Sequence, residues 1–464
     1  MNKRTGFVSV FLSRLIIIGF IAQIVMGIIW GAKNIGYLQL FGESADLVAV
    51  SGTMRCNVYT GVIYPAVLLM VRAVCMAFGL PWYTLMYLLQ LALALTSGCV
   101  FLRAYGKNRY GRAKYFFGSL VLTTFPFMLQ IHLAILTESL ALSFFILEMA
   151  YVRKAWGSTT LADARGFSLA LGRICLFWFL TALTQWDFII IGAVPVIILF
   201  IRALVVLSRT DRKGIGFPFL ILACFLVFII GTYTFIENPY APSTPTKSLE
   251  VSLFDRTAWD AAAGNGNVRY EIWNIVGDEL TEEYTAHRGT MKTLVEPRIE
   301  ASLGKKGARD FFLRMAKEVW STRKSTVIHD AAIDLAGYII PPVVTRSLFE
   351  KRAFLSYTGR NYDVMKRVSP QFTKVYMDYS LFWFEAALMI AGVLYMLWIF
   401  KGIREKKKPG PGVYIIAVTI LTGILIAVRN TFLGYGMYDY KIAGFSTALW
   451  ITLILFSTDG AEAK

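Results

Sequence analysis

Apolar runs of about twenty residues recur along this chain, and lysine or arginine closes most of them. A run of that length lets a helix cross a hydrocarbon layer of roughly 30 Å. Lipid offers the backbone no hydrogen bonds, so each run must satisfy its own as a helix. The runs fall at about residues 11–32, 82–104 and 115–131, and a fourth starts close to Glu138 and leaves at Arg153-Lys154. Two more share 166–201, and the rest cover about 215–236, 379–400, 413–428 and 442–457. The expected fold is an all-α polytopic membrane protein with about ten transmembrane helices. Apolar residues at 56% against 17% charged agree with that class.

Charge placement orients the spans. The net charge of +17 would suggest nucleic acid in a soluble protein. Here most of the excess sits in short loops between spans, which is positive-inside bias, and no nucleic-acid partner is expected. The piece from Val62 to Leu80 is apolar enough to span, but Arg72 sits in its middle. If it crossed, the cluster Arg103, Lys107, Arg109, Arg112 and Lys114 would lie outside. Read as an interfacial or re-entrant helix, it leaves that cluster inside. Every basic cluster between spans is then cytoplasmic, as are both termini. The first run shows no convincing cleavage site and reads as an anchor. No Asn-x-Ser/Thr sequon occurs, which points to a bacterial plasma membrane.

Three parts follow. Residues 1–236 form an N-terminal membrane module whose first outer loop is 33–81. Residues 237–378 form a large outer loop, helical in character, and 379–464 carry the C-terminal transmembrane helices. Within the large loop, Gly307 to Trp320 sets Phe311, Phe312, Met315, Val319 and Trp320 at near-helical spacing, an amphipathic helix. The loop is too long for a mere connector.

The chemistry-bearing residues are few. Five cysteines without a CxxC give no disulfide framework or zinc site, though pairing of Cys56 with Cys75 stays open. Three histidines exclude a His-rich metal centre. Four carboxylates flank apolar spans at one expected depth: Glu43 and Asp46 in the first loop, Glu138 at the start of span four, and Asp187 between spans five and six. Acids so close to hydrocarbon are costly unless paired, wetted or used. They could converge on one outer pocket. Plainer readings stand beside this: a solvated first loop, Glu138 as a helix cap, and His132 as an interfacial polar residue.

The order of several short motifs resembles the GT-C superfamily of membrane glycosyltransferases, which includes protein O-mannosyltransferases and lipid A aminoarabinose transferases. Glu43-Ser44-Ala45-Asp46-Leu47-Val48-Ala49-Val50 resembles their Asp-x-x-x-Tyr-x-x-x-Ala loop after span one, with Glu43 at the acid position and Leu47 where Tyr is usual. Tyr64-Pro65 resembles their Tyr-Pro-Pro step without the second proline. Phe125-Pro126 and Thr137-Glu138-Ser139-Leu140 resemble the proline and the Thr/Ser-Glu/Asp pair of spans three and four. Tyr438-Asp439-Tyr440-Lys441 resembles a late Arg-Tyr segment, with Lys for Arg.

The resemblance implies transfer of a sugar from a polyprenyl-phosphate donor to an acceptor hydroxyl, on a lipid, glycan or protein, at the outer side. Glu43 and Asp46 are then the catalytic candidates, since a loop carboxylate can take the proton of the attacking hydroxyl. Donor or substrate binding falls to Glu138, His132, Tyr64 and Asp187. Arg256, Arg346, Arg360, Arg429 and Lys441 are candidates for stabilising the leaving lipid phosphate. Arg429 also reads as a snorkelling anchor, and the Tyr438–Tyr440 pair as part of an aromatic belt. A divalent metal between Glu43 and the phosphate is compatible with this chemistry but not required by it. Two rival functions remain: a flippase or transporter for a lipid-linked sugar, and a polysaccharide polymerase or ligase using His287 and His329. A non-catalytic assembly subunit is a third. Transporters usually carry mid-depth charge, and the spans show almost none beyond Arg173 and Arg14.

Overall fold

The computed structural model describes residues 3–34, 48, 61–105, 112–160, 163–185, 188–207, 216–240, 270–271, 274–275, 277, 296–339, 370–404, 421 and 424. Helix is the regular structure throughout, with no strand among the described residues. The chain divides into two compact units. One comprises Met1–Pro242, Leu348–Thr422 and Phe445–Lys464; the other comprises Ser243–Ser347 and Gly423–Gly444. The first contains α1 (Lys3–Asn34), α2 (Ile63–Phe78), α3 (Trp82–Tyr105), α4 (Arg112–Thr123) and α5 (Pro126–His132). It continues with α6 (Thr137–Thr160), α7 (Ala164–Thr184), α8 (Phe188–Leu207) and α9 (Gly216–Tyr240). Helix α10 (Glu296–Ile339) belongs to the second unit, and α11 (Pro370–Arg404) returns to the first.

Among the described residues, four helices are long and apolar enough to cross a membrane: Leu15–Lys33 within α1, Trp82–Tyr105, Arg165–Thr184 within α7, and Lys374–Arg404 within α11. They fall on the expected spans one, two, five and eight. Helices also occupy expected spans three, four, six and seven, whereas spans nine and ten lie outside the described residues apart from isolated positions. Helix α2 has 16 residues. At 1.5 Å each it is about 24 Å long, short of the hydrocarbon thickness. It buries Tyr64, Leu68, Val71 and Cys75 on one face and exposes Met70, Met76 and Phe78. Arg72 lies 5.5 Å from the Trp82 ring centroid and donates to the Val48 carbonyl at 3.3 Å. Its charge is thus spread over an aromatic face and a carbonyl. Cys75 is a free, buried thiol, so pairing with Cys56 is not made; Cys56 itself lies outside the described residues.

Expected span three is broken. Pro126 has no N–H to offer and ends α4 ahead of it, opening α5 at its first turn. The carbonyls freed at the break are taken up by side chains. The Gln23 amide donates to the Val121 carbonyl at 3.4 Å, as does the Thr124 hydroxyl, also at 3.4 Å. Tyr376 of α11 donates its hydroxyl to the Thr124 carbonyl at 2.7 Å. Trp30 and Tyr376 pack ring on ring beside it, centroids 5.9 Å apart. The break therefore fastens α1 and α11 to the bundle, because an unpaired buried carbonyl is costly and side chains of both helices donate to carbonyls there.

Helix α6 runs through the middle of the unit and packs against α3, α7 and α8. Phe145, Ile146, Met149 and Val152 are all buried. Glu148, on the same helix, is buried as well. A mid-depth ionisable group is therefore present in α6, where the spans were expected to carry almost none beyond Arg173 and Arg14. Arg173 is exposed, its guanidinium 5.4 Å from the Tyr151 ring centroid.

In the second unit, α10 carries the expected amphipathic segment, with non-helical backbone at Gly304 and Arg323. Phe311, Phe312, Met315 and Val319 are buried, whereas Trp320 is 47% exposed and carries the Lys324 ammonium 5.7 Å from its ring centroid. Trp320 thus leaves the apolar face that its spacing assigned to it. On the polar side, Arg314 pairs with Glu271 at 2.7 Å. Replacing Phe312 or Met315 by Lys is expected to cost about 3 kcal/mol or more, from lost burial plus a buried charge. Trp320→Lys should cost under about 1 kcal/mol. Thermal unfolding of the three variants checks the ranking; equal effects would show that all three side chains share one environment.

Candidate functional site

The residues that meet at one end of the bundle come from five helix ends. Tyr64 opens α2, His132 ends α5, Thr137 and Glu138 open α6, Thr184 ends α7, and Phe188 opens α8. At their centre is Gln90, eight residues into α3 and fully buried. Its amide donates to the carbonyls of His132 and Ala134, both at 2.9 Å, and its oxygen accepts from the Tyr64 hydroxyl at 3.0 Å. Two carbonyls and one hydroxyl around a single amide leave one consistent orientation, NH₂ toward the carbonyls. Gln90 thus fixes the four-residue turn between α5 and α6 to both α2 and α3.

Tyr64 is buried, and burial holds its phenol well above the usual value of 10.0, reinforced by the nearby Glu138 carboxylate. It therefore stays a neutral hydroxyl and a hydrogen-bond donor. His132 is buried too, its Nδ1 2.9 Å from the Ser139 hydroxyl. Its Nε2 has no hydrogen-bond partner among the described residues.

Glu138 is half-buried. It occupies the first turn of α6, where the unpaired N–H groups and the helix dipole favour a carboxylate. Thr137 donates its hydroxyl to Glu138 Oε2 at 3.3 Å. The result is a solvent-reachable carboxylate whose backbone is held by a buried polar network. It is suited to accept hydrogen bonds from hydroxyl groups.

The first loop is fastened to the same end. Gly61 donates its backbone N–H to the Thr184 carbonyl at 3.1 Å. A side-chain carbon at position 61 would collide with the Leu183 carbonyl, so only glycine permits this approach. The α7 end then turns through Gln185, whose carbonyl accepts from the Phe188 N–H at 3.0 Å.

Of the residues expected to bind substrate, Tyr64, His132 and Glu138 are thus brought together. Glu43, Asp46, Asp187, Arg256, Arg346, Arg360, Arg429 and Lys441 lie outside the described residues. Among the described residues no group of three or more His, Cys, Asp or Glu could hold a metal ion. Gln90 and Ser139 complete the network and were not legible as site residues. The one available signal was an amide inside an apolar run, where an unsatisfied side chain is costly. No family model, no curated protein and no solved structure matches this chain.

Proposed function

We propose that this chain is an integral-membrane glycosyltransferase. It moves a sugar from a polyprenyl-phosphate donor to an acceptor hydroxyl at the outer face of a bacterial plasma membrane, through about ten spans with both termini cytoplasmic. The observation that carries the reading is the meeting of Tyr64, His132 and Glu138 around Gln90, at the end where the first loop joins α7 through Gly61 and Thr184. Tyr64 and Glu138, which the motif order drew from separate stretches, thereby share one neighbourhood with His132. In the reaction, a first-loop carboxylate, Glu43, removes the acceptor proton as the acceptor oxygen bonds the anomeric carbon. The bond from that carbon to the phosphate oxygen breaks, and the lipid phosphate leaves with the electron pair. A cation from Arg256, Arg346, Arg360, Arg429 or Lys441 offsets its charge. Glu138 accepts hydrogen bonds from sugar hydroxyls, and Tyr64 and His132 position the turn that carries it.

Purified protein is expected to transfer radiolabelled sugar from a polyprenyl-phosphate donor. Glu138→Gln should lower kcat/KM about tenfold or more, the scale of one charge-assisted hydrogen bond. Absence of transfer from every polyprenyl-linked donor and acceptor class tried would reject the enzyme reading. One observation favours a second function, transport of the lipid-linked sugar: the buried Glu148 within α6, since ionisable groups at such depth mark transport pathways. Passage of label across vesicles without any new glycosidic bond would select it.

A further inference from the structure

Glu148 lies eleven residues past the start of α6, about 16 Å along its axis. Its side chain has no exposed surface, and neither carboxyl oxygen has a hydrogen-bond partner among the described residues. Helices α7 and α8 close over it. Oε2 lies 3.1 Å from where a side-chain carbon of Gly192 would sit, and that same carbon would collide with Trp178. Gly192 thus lets the carboxyl and the indole reach the α8 backbone together. Pro195 follows three residues later inside α8. Proline supplies no N–H, so the Ile191 carbonyl, one residue before Gly192, loses its helical donor. A bare carboxyl and a carbonyl without its helical i+4 donor therefore belong to the same stretch of the α6–α8 contact.

Among the described residues, no charge pairs with Glu148. Cys175 of α7 is the titratable group within its electrostatic reach. Along α6 itself, Lys154 lies over the Tyr151 ring, and from α7 Arg173 lies over the same ring. Arg202 of α8 lies over Trp156, and Tyr105 of α3 donates to the Met149 carbonyl. A carboxylate in such a place needs a positive partner, because burying an unpaired charge is very costly. The smallest one is a proton, and with it the group becomes the hydrogen-bond donor that the α8 carbonyl lacks.

We infer that Glu148 is a proton-binding site that holds α6 against α8 as a neutral acid donating to the α8 backbone opened by Pro195. Loss of the proton removes the donor, places a charge in the contact and loosens it. The inference rests on packing alone and stands whether or not the protein transfers sugar.

Full-length protein in lipid nanodiscs tests it by infrared difference spectroscopy against Glu148→Gln, from about pH 5 to about pH 9. The amide of Gln keeps a donor, so this variant should fold. The expected result is a carbonyl stretch of a protonated carboxyl in the wild type, absent from E148Q, that shrinks as pH rises. No such band at any pH overturns the assignment. A carboxylate band that responds to sodium and not to pH also overturns it, in favour of a metal cation. Dicyclohexylcarbodiimide, which needs a protonated carboxyl in an apolar setting, reads the same point on the unmutated protein. Labelling of Glu148 that declines with rising pH supports the site; labelling confined to other acids overturns it.

The holding role has its own readout. With Cys56, Cys75, Cys99 and Cys224 changed to Ser, a membrane-permeant maleimide reports access to Cys175. The rate at each pH is divided by that of the same protein carrying E148Q, which removes the pH dependence common to both. A Glu148 charge disfavours the Cys175 thiolate and would by itself lower the ratio, so a rise reports access. The ratio should rise about tenfold or more across the range, since each pH unit multiplies the deprotonated-to-protonated ratio by ten. A flat ratio overturns the holding role.

Discussion

Glu43→Gln is expected to cut sugar transfer by about 10²–10⁴-fold, the usual loss when a general base is removed. The amide keeps the size of the side chain and its hydrogen-bonding oxygen but cannot take a proton. Donor binding should therefore change little, so the loss falls on kcat and spares KM. Asp46 stands three residues on, a spacing that puts both acids on one face if the segment is helical. Only one of them needs to be the base, and Asp46→Asn should have the smaller effect. Initial rates with a polyprenyl-phosphate sugar, taken over a range of donor concentrations, separate these outcomes. The reverse ranking moves the base to Asp46. Two near-neutral variants of an otherwise active protein would sink the catalytic reading of this loop.

The second large effect is on stability. Gln90→Leu should destabilise the protein by about 3–5 kcal/mol, because it strands three buried groups at once. The Tyr64 hydroxyl and the carbonyls of His132 and Ala134 all lose their partner, and an unsatisfied buried polar group costs about 1–3 kcal/mol. Tyr64→Phe strands only the Gln90 oxygen and should cost about 1–2 kcal/mol. In Tyr64→Phe with Gln90→Leu, both sides of that bond are gone, so the double variant should cost less than the sum of the two. Thermal unfolding in nanodiscs gives all three values. A fully additive cycle would show that Tyr64 and Gln90 do not depend on one another. Because the same amide holds the turn before Glu138, Gln90→Leu should also lower transfer in the fraction that remains folded.

Gln90 shows where reading along the chain stops. An amide in an apolar run announces a buried partner, but nothing local says that the partners are a tyrosine 26 residues before it and two carbonyls over forty residues after. Tyr64 and Glu138 were singled out by motif order and His132 as a candidate binding residue, and the fold brings those three together. Glu148 went the other way. The reading along the chain passed over it inside span four, and only the closing of α7 and α8 over it exposes its isolation. Trp320 shows a smaller failure of the same kind. Helical spacing put it with Phe311 and Phe312, but it stands at the edge of their stripe, where the local arrangement decides what is covered.

By itself, the sequence determined the helices. Apolar runs of spanning length leave the backbone no alternative to helix in lipid. The break at Pro126 was not read from the chain, since Pro195 sits inside a continuous α8, but the alternation of large apolar and charged residues puts one face of α10 under cover. These are local consequences of covalent chemistry and of a 3.6-residue period. The tertiary structure alone decided which helix faces meet. Tyr376 finds the Thr124 carbonyl across 252 residues of chain, and the carboxyl of Glu148 is sealed by a glycine on another helix. Such contacts depend on how whole helices pack, and no local pattern carries that, because the same apolar face can be buried against any neighbour of matching shape.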